Sequence, residues 1–580
     1  MPDTAAVRQP GAAPLAGVTA WPARRPASPA PRRRAAPRRR APARPRVQRV
    51  PPPEPPGLSL PGDSGFTLQA GPRRAALRRT WLDTFDWRLY RAGLTLEQVT
   101  GRGTAELRLT GRDGTLLAAE QLRAPGRRAS QTPRWPALIA ALPPGLLADE
   151  LAPVIGVRAL LPVARATSVL REQRALNADD KTIARVTADE MTVTPAAPPA
   201  RPAPPAAAAE AAAPVTLPAR LTVIPVRGYQ AQAARLESLL AGLPGVLPAG
   251  RPALEAALAA AGRRAGDYTG RIDVELTPGM PAAAAIAAVM AALLDTLEAN
   301  VPGTMRDVDT EFLHDLRVAV RRTRTALKLT GQVLPGGARG EFRPEFKWLG
   351  DLTTPTRDLD VYLLGLPGMT AGLVGAEPGD LEPFGEQLAR QRARAQRDLV
   401  RGLRSARFQR LRRDWRTALT QATATARRKP TAARLAAGAI ADAHQRVLAD
   451  GMAITPASPA TSLHELRKRC KELRYLLEIF ASLHPPGTAW RAVKELKSLQ
   501  DCLGEFQDTD VQRAELRAFA TTMMARREVP ATTLLAMGEI AAGLARRQRQ
   551  ARTQFDALFR DFAAPAGQAR FQPLTRPATG

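Results

Sequence analysis

From residue 281 to about 563, apolar positions recur at three- and four-residue steps, interrupted by polar or Pro/Gly breaks near residues 301, 335, 375, 428, 455 and 485. That period belongs to helices, so the second half of the chain is expected to be all-α. The earlier pattern is different. Leu107-Arg108-Leu109 and Leu116-Leu117-Ala118 flank Asp113-Gly114, a hairpin signal. Residues 158–165, 182–193 and 217–226 also read as strands, and residues 231–243 as a helix. The predicted fold class is an α+β N-terminal domain dominated by antiparallel sheet, followed by an all-α domain. Boundaries are placed at 63–275 and 276–565, with a tail at 566–580. Residues 195–214 are a Pro/Ala-rich insert, and residues 1–62, rich in Pro, Ala and Arg, read as a disordered basic arm.

The helical half repeats itself. Leu-His-Asp-Leu-Arg from Leu313 returns as Leu-His-Glu-Leu-Arg from Leu463, and Arg-Asp-Leu-Asp-Val ending at Val361 returns as Gln-Asp-Thr-Asp-Val ending at Val511. The offset stays at 150 residues between 311–361 and 461–511. This is too long for a solenoid period and fits two tandem helical bundles.

Most of the repeated residues are charged. At 100° per residue, His314, Arg317, Arg321, Arg324 and Lys328 share an arc of about 80° beside the apolar stripe of Phe312, Leu313, Leu316, Val320 and Leu327. His464, Arg467, Lys471 and Arg474 form the same stripe in the second copy, where Glu478 replaces the cation of Lys328. Like charges at these spacings repel by about a few tenths of a kcal/mol per pair. Keeping the stripe in both copies points to a linear polyanion whose oxygens accept charge-assisted bonds from Arg and Lys. Reversing Arg317 and Arg467 to Glu is therefore expected to abolish anion binding while leaving helicity intact.

Charge supports an anionic partner. The chain of 580 residues has 84 Lys+Arg against 54 Asp+Glu, a formal charge of +30. Twelve of those Arg fall in residues 1–50, so the arm adds weaker nucleic-acid binding to the expectations. Two cysteines, Cys470 and Cys502, are too few for a disulfide framework or a Cys-based zinc module and read as core residues. The apolar run 282–294 is shorter than the roughly 20 residues a bilayer needs. The first residues lack the pattern of a secretory signal. No membrane contact, cofactor or metal is expected, and the expected location is the cytoplasm. The acids Asp351, Asp358, Asp360, Asp501, Asp508 and Asp510 read as structural, capping helices or orienting the arginines. His314 and His464 can donate to phosphate, more so when protonated. No nucleophile–base set or Gly-rich phosphate cradle is present in the helical half.

The runs at 313–324, 346–351, 357–361 and 463–475 resemble the signatures of the CHAD family, and Phe555-Asp556-Ala557-Leu558-Phe559 is similar to its last helix. The resemblance covers roughly residues 281–563. It implies two pseudo-symmetric four-helix bundles around a basic groove, and binding of inorganic polyphosphate without catalysis, often at polyphosphate granules. The implied polyphosphate site comprises His314, Arg317, Arg321, Arg322, Arg324, Lys328, Lys347, His464, Arg467, Lys468, Lys471, Arg474 and Lys497. Residues 63–275 resemble a worn CYTH domain, the triphosphate tunnel fold. Trp81-Leu82-Asp83-Thr84-Phe85-Asp86-Trp87-Arg88-Leu89 and Arg227-Gly228-Tyr229 carry that likeness. The family's opening Glu-x-Glu-x-Lys is replaced by Leu58-Ser59-Leu60-Pro61-Gly62, and its Leu-Arg-x-Arg strand by Leu94-Thr95-Leu96-Glu97-Gln98. The expectation is a non-catalytic polyphosphate-binding protein. The alternatives are a metal-dependent triphosphatase and a nonspecific nucleic-acid binder.

Overall fold

The structure is a computed structural model and describes residues 46–50, 60–123, 133–194, 213–427, 430–526 and 529–577. It divides into two units, a sheet-rich one ending at Thr269 and a helical one from Gly270. Most of the arm, and residues 195–212 of the insert, lie outside the described residues.

The first unit is built on one antiparallel sheet. Its strands are β1 (Arg46–Val50), β2 (Thr67–Asp83), β3 (Leu94–Thr100), β4 (Ala105–Gly111), β5 (Leu116–Arg123), β6 (Leu161–Leu176), β7 (Thr182–Val193), β8 (Val215–Thr216), β9 (Ala219–Pro225) and β10 (Leu247–Pro248), in the order β10-β1-β9-β7-β6-β2-β3-β4-β5, with β8 on β7. The hairpin at Asp113-Gly114 joins β4 to β5, with Gly114 in the left-handed region at φ 78°. Four helices belong to this unit: α1 (Arg88–Arg91), α2 (Leu146–Ile155), α3 (Gln230–Ala241) and α4 (Ala253–Ala260). Strand alternation sends Leu82, Leu96, Leu107 and Leu109 to one core with α2, and Trp81, Met191 and Val193 to another with α4. One expectation fails here. Arg46–Val50, read as part of the arm, pairs with β9 from Arg46↔Val223 to Val50↔Ala219, so backbone pairing overrides local composition.

The helical unit contains α5 (Ala282–Met305), α6 (Thr310–Leu329), α7 (Ala338–Thr370), α8 (Glu382–Arg404), α9 (Ala406–Ala424), α10 (Ala432–Met452), α11 (Ala460–Ile479), α12 (Thr488–Ala525), α13 (Ala531–Ala563) and α14 (Pro565–Ala569). The starts of α10, α11 and α12 follow those of α5, α6 and α7 by 150 residues, so the duplication reaches further upstream than its charged signatures. Gly337 and Gly487, at matching positions, precede α7 and α12 with φ 73° and 83°. Backbone of this sign is cheap only for glycine.

The two repeats also touch symmetrically. Ala282 N–H donates to Pro430 O at 2.9 Å, and Ala432 N–H donates to Met280 O at 2.7 Å. The Tyr362 hydroxyl donates to the Gln512 carbonyl at 2.8 Å. The first two bonds interchange under the 150-residue shift, and Tyr362 and Gln512 are themselves 150 residues apart, which describes a local two-fold. One continuous core, including Leu293, Leu316, Phe346, Ile440, Leu466 and Leu499, runs through both repeats, and a smaller one gathers Tyr362, Phe384, Leu516 and Ile540.

Several boundaries differ from the sequence reading. The break expected near residue 301 falls later, at residues 306–309, because α5 continues through Pro302 to Met305. By length and composition α5 could cross a bilayer, but its apolar side chains are packed in the core. Ser405, which caps α9, makes an unforeseen break between α8 and α9. The domain boundary moves from 275/276 to 269/270, since Ile272, Val274 and Leu276 pack against the helical core. Residues 566–577 are not a tail. Phe571 and Leu574 are fully buried, and Phe571 stacks on His444 with ring centroids 4.3 Å apart.

Candidate functional site

A cavity of about 770 Å³ opens between α6, α7 and α11. α6 is fixed at its start by Asp309, whose carboxylate accepts from Glu311 and Phe312 N–H. It buries Leu316, Val320 and Leu327 in the core and turns its adjoining stripe to the cavity. Arg317, Arg321, Arg324 and Lys328 line that side, and Arg467, Lys468 and Lys471 line the α11 side with His464. From α7 come Arg343 and Lys347. Nine Lys and Arg thus face two carboxylates, Asp351 and Glu472.

The deepest cations are held in different ways. Arg317 Nη1 donates to the hydroxyls of Thr353 at 3.0 Å and Thr354 at 2.8 Å. Burial pushes its pKa down to about 10 despite the pull of Asp358. Its counterpart Arg467 binds the Asp508 carboxylate at 2.9 Å. Lys471 is pushed well below the usual lysine range by burial and then by Arg467 and Arg321, with Asp508 opposing. The Nε atoms of Arg317, Arg321 and Arg467 and Nδ1 of His464 are buried without a hydrogen-bond partner. Unmet buried donors of this kind are costly, and an anion in the cavity would supply acceptors.

Four residues of the sequence-derived site do not line this cavity. Arg322 turns one position round α6 and binds Glu478 at 2.6 Å. Arg474 binds the same carboxylate at 2.8 Å. Lys497 sits exposed on α12 and pairs with Asp501, and His314 is absent from the lining. Conversely, Arg343 and Tyr475 line the cavity without having been singled out. Arg343 lies four residues before Lys347, so the helical spacing that carried the other cations was available for it. Tyr475 takes the place of Thr325 in the second repeat and lies under Arg321, 5.7 Å from guanidinium to ring centre.

One expectation needs correcting. Asp358, Asp360, Asp508 and Asp510 cap nothing, because α7 and α12 run unbroken through them. They take ion pairs and hydrogen bonds instead: Asp360 with Arg392 at 2.9 Å, Asp508 with Arg467, and Asp510 with Gln548 at 2.9 Å. Asp351 pairs with Lys347 at 2.6 Å, and Asp501 with Lys497. His464 is pushed below the ordinary histidine range by burial and by Lys468. Cys470 and Cys502 are buried free thiols.

In the sheet unit, the Trp81–Leu89 run forms a corner. Asp83 is buried and accepts from the backbone N–H of Thr84, Leu89 and Tyr90 at 2.7–2.9 Å. Asp86 holds Arg88 at 3.0 Å and Arg158 at 3.4 Å. On the same sheet, Arg79 is clasped between Glu97 and Asp189. Among the described residues, no group of three or more His, Cys, Asp or Glu is placed to hold a metal ion.

Comparison with known proteins bears on the helical unit. A model of the CHAD domain matches residues 288–517, from within α5 to within α12. The CHAD domain of the plant Ricinus communis is similar at 23% identity, covering 50% of this chain and 95% of that one, with a TM-score of 0.44. PptA from Streptomyces chartreusis is similar at 17% identity, covering 48% and 99%, with a TM-score of 0.39. No curated protein matches the chain. The cavity is lined entirely from within the matched segment: residues 288–517 are a CHAD domain.

Proposed function

We propose that the helical unit binds inorganic polyphosphate in the cavity between α6, α7 and α11, without catalysis, in the cytoplasm at polyphosphate granules. The observation that carries this reading is the concentration of nine cations around one cavity with two carboxylates. Arginine pairs with phosphate in bidentate fashion and lysine as a point charge. The unmet Nε donors give a bound chain of phosphates further bonds to make. CHAD domains are associated with polyphosphate, and on this reading the two repeats are four-helix bundles that bring their basic helices together. Tyr475 stands alone among the lining cations as an aromatic, which favours a phosphate chain over a base-stacking single strand.

The sheet unit is read as a non-catalytic relative of the CYTH tunnel fold. Glu97 and Asp189 neutralise Arg79 from within, and Asp83 is consumed by backbone N–H groups. Those groups are thereby occupied within the fold rather than free for metal or triphosphate. The test is binding of the full-length protein to long-chain polyphosphate, with duplex DNA and RNA as competitors at equal phosphate concentration and near-physiological salt. Preference for polyphosphate by orders of magnitude supports the reading. Even competition makes the cavity a general polyanion surface and moves nucleic-acid binding to the front.

A further inference from the structure

A second row of cations lies outside the cavity. Arg390, Arg394, Arg397, Arg401 and Arg404 follow one another at three- and four-residue steps along α8, and all five are exposed. They share an arc of about 80° and extend over about 21 Å. Arg390 meets Glu386 at 3.3 Å and Arg401 meets Asp398 at 3.0 Å, and both carboxylates are well exposed. Among the described residues, no carboxylate is bonded to Arg394, Arg397 or Arg404. Arg397, Arg401 and Arg404 edge a shallow depression of about 600 Å³. The duplicated scaffold does not require this row: α8 and α9 hold eleven arginines, whereas α13, the helix that follows α12, holds five.

The row and the cavity lie on opposite sides of α7. Leu352 packs on Gly402 of α8, and Glu345 binds Arg407 of α9 at 2.8 Å. Arg343, Lys347, Gly350 and Thr354 face the cavity. By helical spacing the two sets point in roughly opposite directions. Near the start of α7, Arg343 stands on the cavity side and the Glu345–Arg407 pair on the other. Arg343 on the cavity wall is two residues from Glu345, whose carboxyl is held below its usual range by its bond to Arg407 and by the charges of Arg407 and Arg410. Arg407 follows Arg404, the last residue of the row, by three positions across Ser405.

We propose that the α8 row is a second contact for the same polyanion, reached only by a chain long enough to leave the cavity and pass round α7, so that the protein selects long-chain over short polyphosphate. This rests on the polyphosphate reading of the cavity. Arginines whose Cβ atoms stand about 5–6 Å apart suit a linear chain of phosphates. No aromatic is interleaved in the row, so it offers no platform for stacked bases. Where one chain engages two linked contacts, affinity rises by about 10²–10⁴ without any new contact chemistry.

The experiment compares the full-length protein with its Arg394→Gln/Arg397→Gln/Arg404→Gln variant, after checking that both have the same helicity. Each is titrated with tripolyphosphate, long-chain polyphosphate and duplex DNA over a range of salt. The expected result is a loss of at least about tenfold in long-chain affinity, with a shallower salt dependence and tripolyphosphate binding kept within about twofold. Equal long-chain affinity of the two proteins overturns the inference and leaves the cavity reading standing. A loss confined to DNA also overturns it and assigns the row to nucleic acid. If the unaltered protein binds polyphosphate of neither length, the cavity reading falls and this inference falls with it.

Discussion

Arg322 and Glu472 occupy the same position of the two repeats and carry opposite charges, and each meets its partner across the repeat interface. Arg322 pairs with Glu478, and Lys328 pairs with Glu472. Because residue 328 corresponds to residue 478, these are one contact made twice about the local two-fold, with its sign reversed. The Arg322–Glu478 copy is nearly buried, with side chains 12% and 5% exposed, whereas Lys328 is 41% exposed. The loss of a cation at Glu478 thus gives the facing arginine a partner.

Burial should separate the two copies energetically. Glu478→Gln leaves Arg322 and Arg474 without their shared carboxylate and is expected to cost about 3–5 kcal/mol. Glu472→Gln, at the more open pair, should cost no more than about 1 kcal/mol. Urea denaturation followed by circular dichroism checks the ranking, and equal losses would show that the two contacts are equivalent in solution.

The cavity is best probed at its exposed rim. Arg324, Arg343, Lys347 and Lys468 are exposed and line the opening, so their joint replacement by Gln should leave helicity unchanged. Polyphosphate affinity should fall, and the slope of log affinity against log salt should flatten by roughly 3, about 0.7–0.9 per lost cation by analogy with nucleic acids. An unchanged slope would remove these side chains from the site.

Reversing Arg317 and Arg467 to Glu is not the clean test that their position on the stripe suggests. The two residues are only 9% and 5% exposed. Arg467→Glu sets a second carboxylate beside half-buried Asp508 and is expected to destabilise the unit by about 3–5 kcal/mol. A lowered melting temperature without ligand would identify this as a folding defect, whereas an unchanged one would return both residues to use as binding probes.

Lys471 gives the cavity a pH signature. Its pKa is depressed by burial and by Arg467 and Arg321. Between that depressed value and the unfolded value near 10.5, the unfolded chain binds the extra proton, so this group's contribution to stability rises with pH over the window. A bound polyanion favours the charged lysine, so binding should take up protons and affinity should fall as pH rises through the same window. Calorimetry in buffers of different ionisation enthalpy measures that uptake. Removing the uptake with Lys471→Met, while wild type retains it, would assign it to this residue.

Much of this molecule is written in local sequence. Helical period and strand alternation mark α6, α7, α11 and β7, because each depends on which face of one element meets the core. The 150-residue repeat and the basic stripes are visible for the same reason. Tertiary structure decided the rest. It alone pairs Arg46–Val50 with β9, carries α5 through Pro302, and buries Phe571 against His444. It also divides the expected site, sending Arg321 to the cavity and Arg322 to Glu478. Periodicity fixes the direction of a side chain about its own helix axis. Whether that direction ends in solvent, in a cavity or on a carboxylate depends on a second helix 150 residues away, and only packing brings it there.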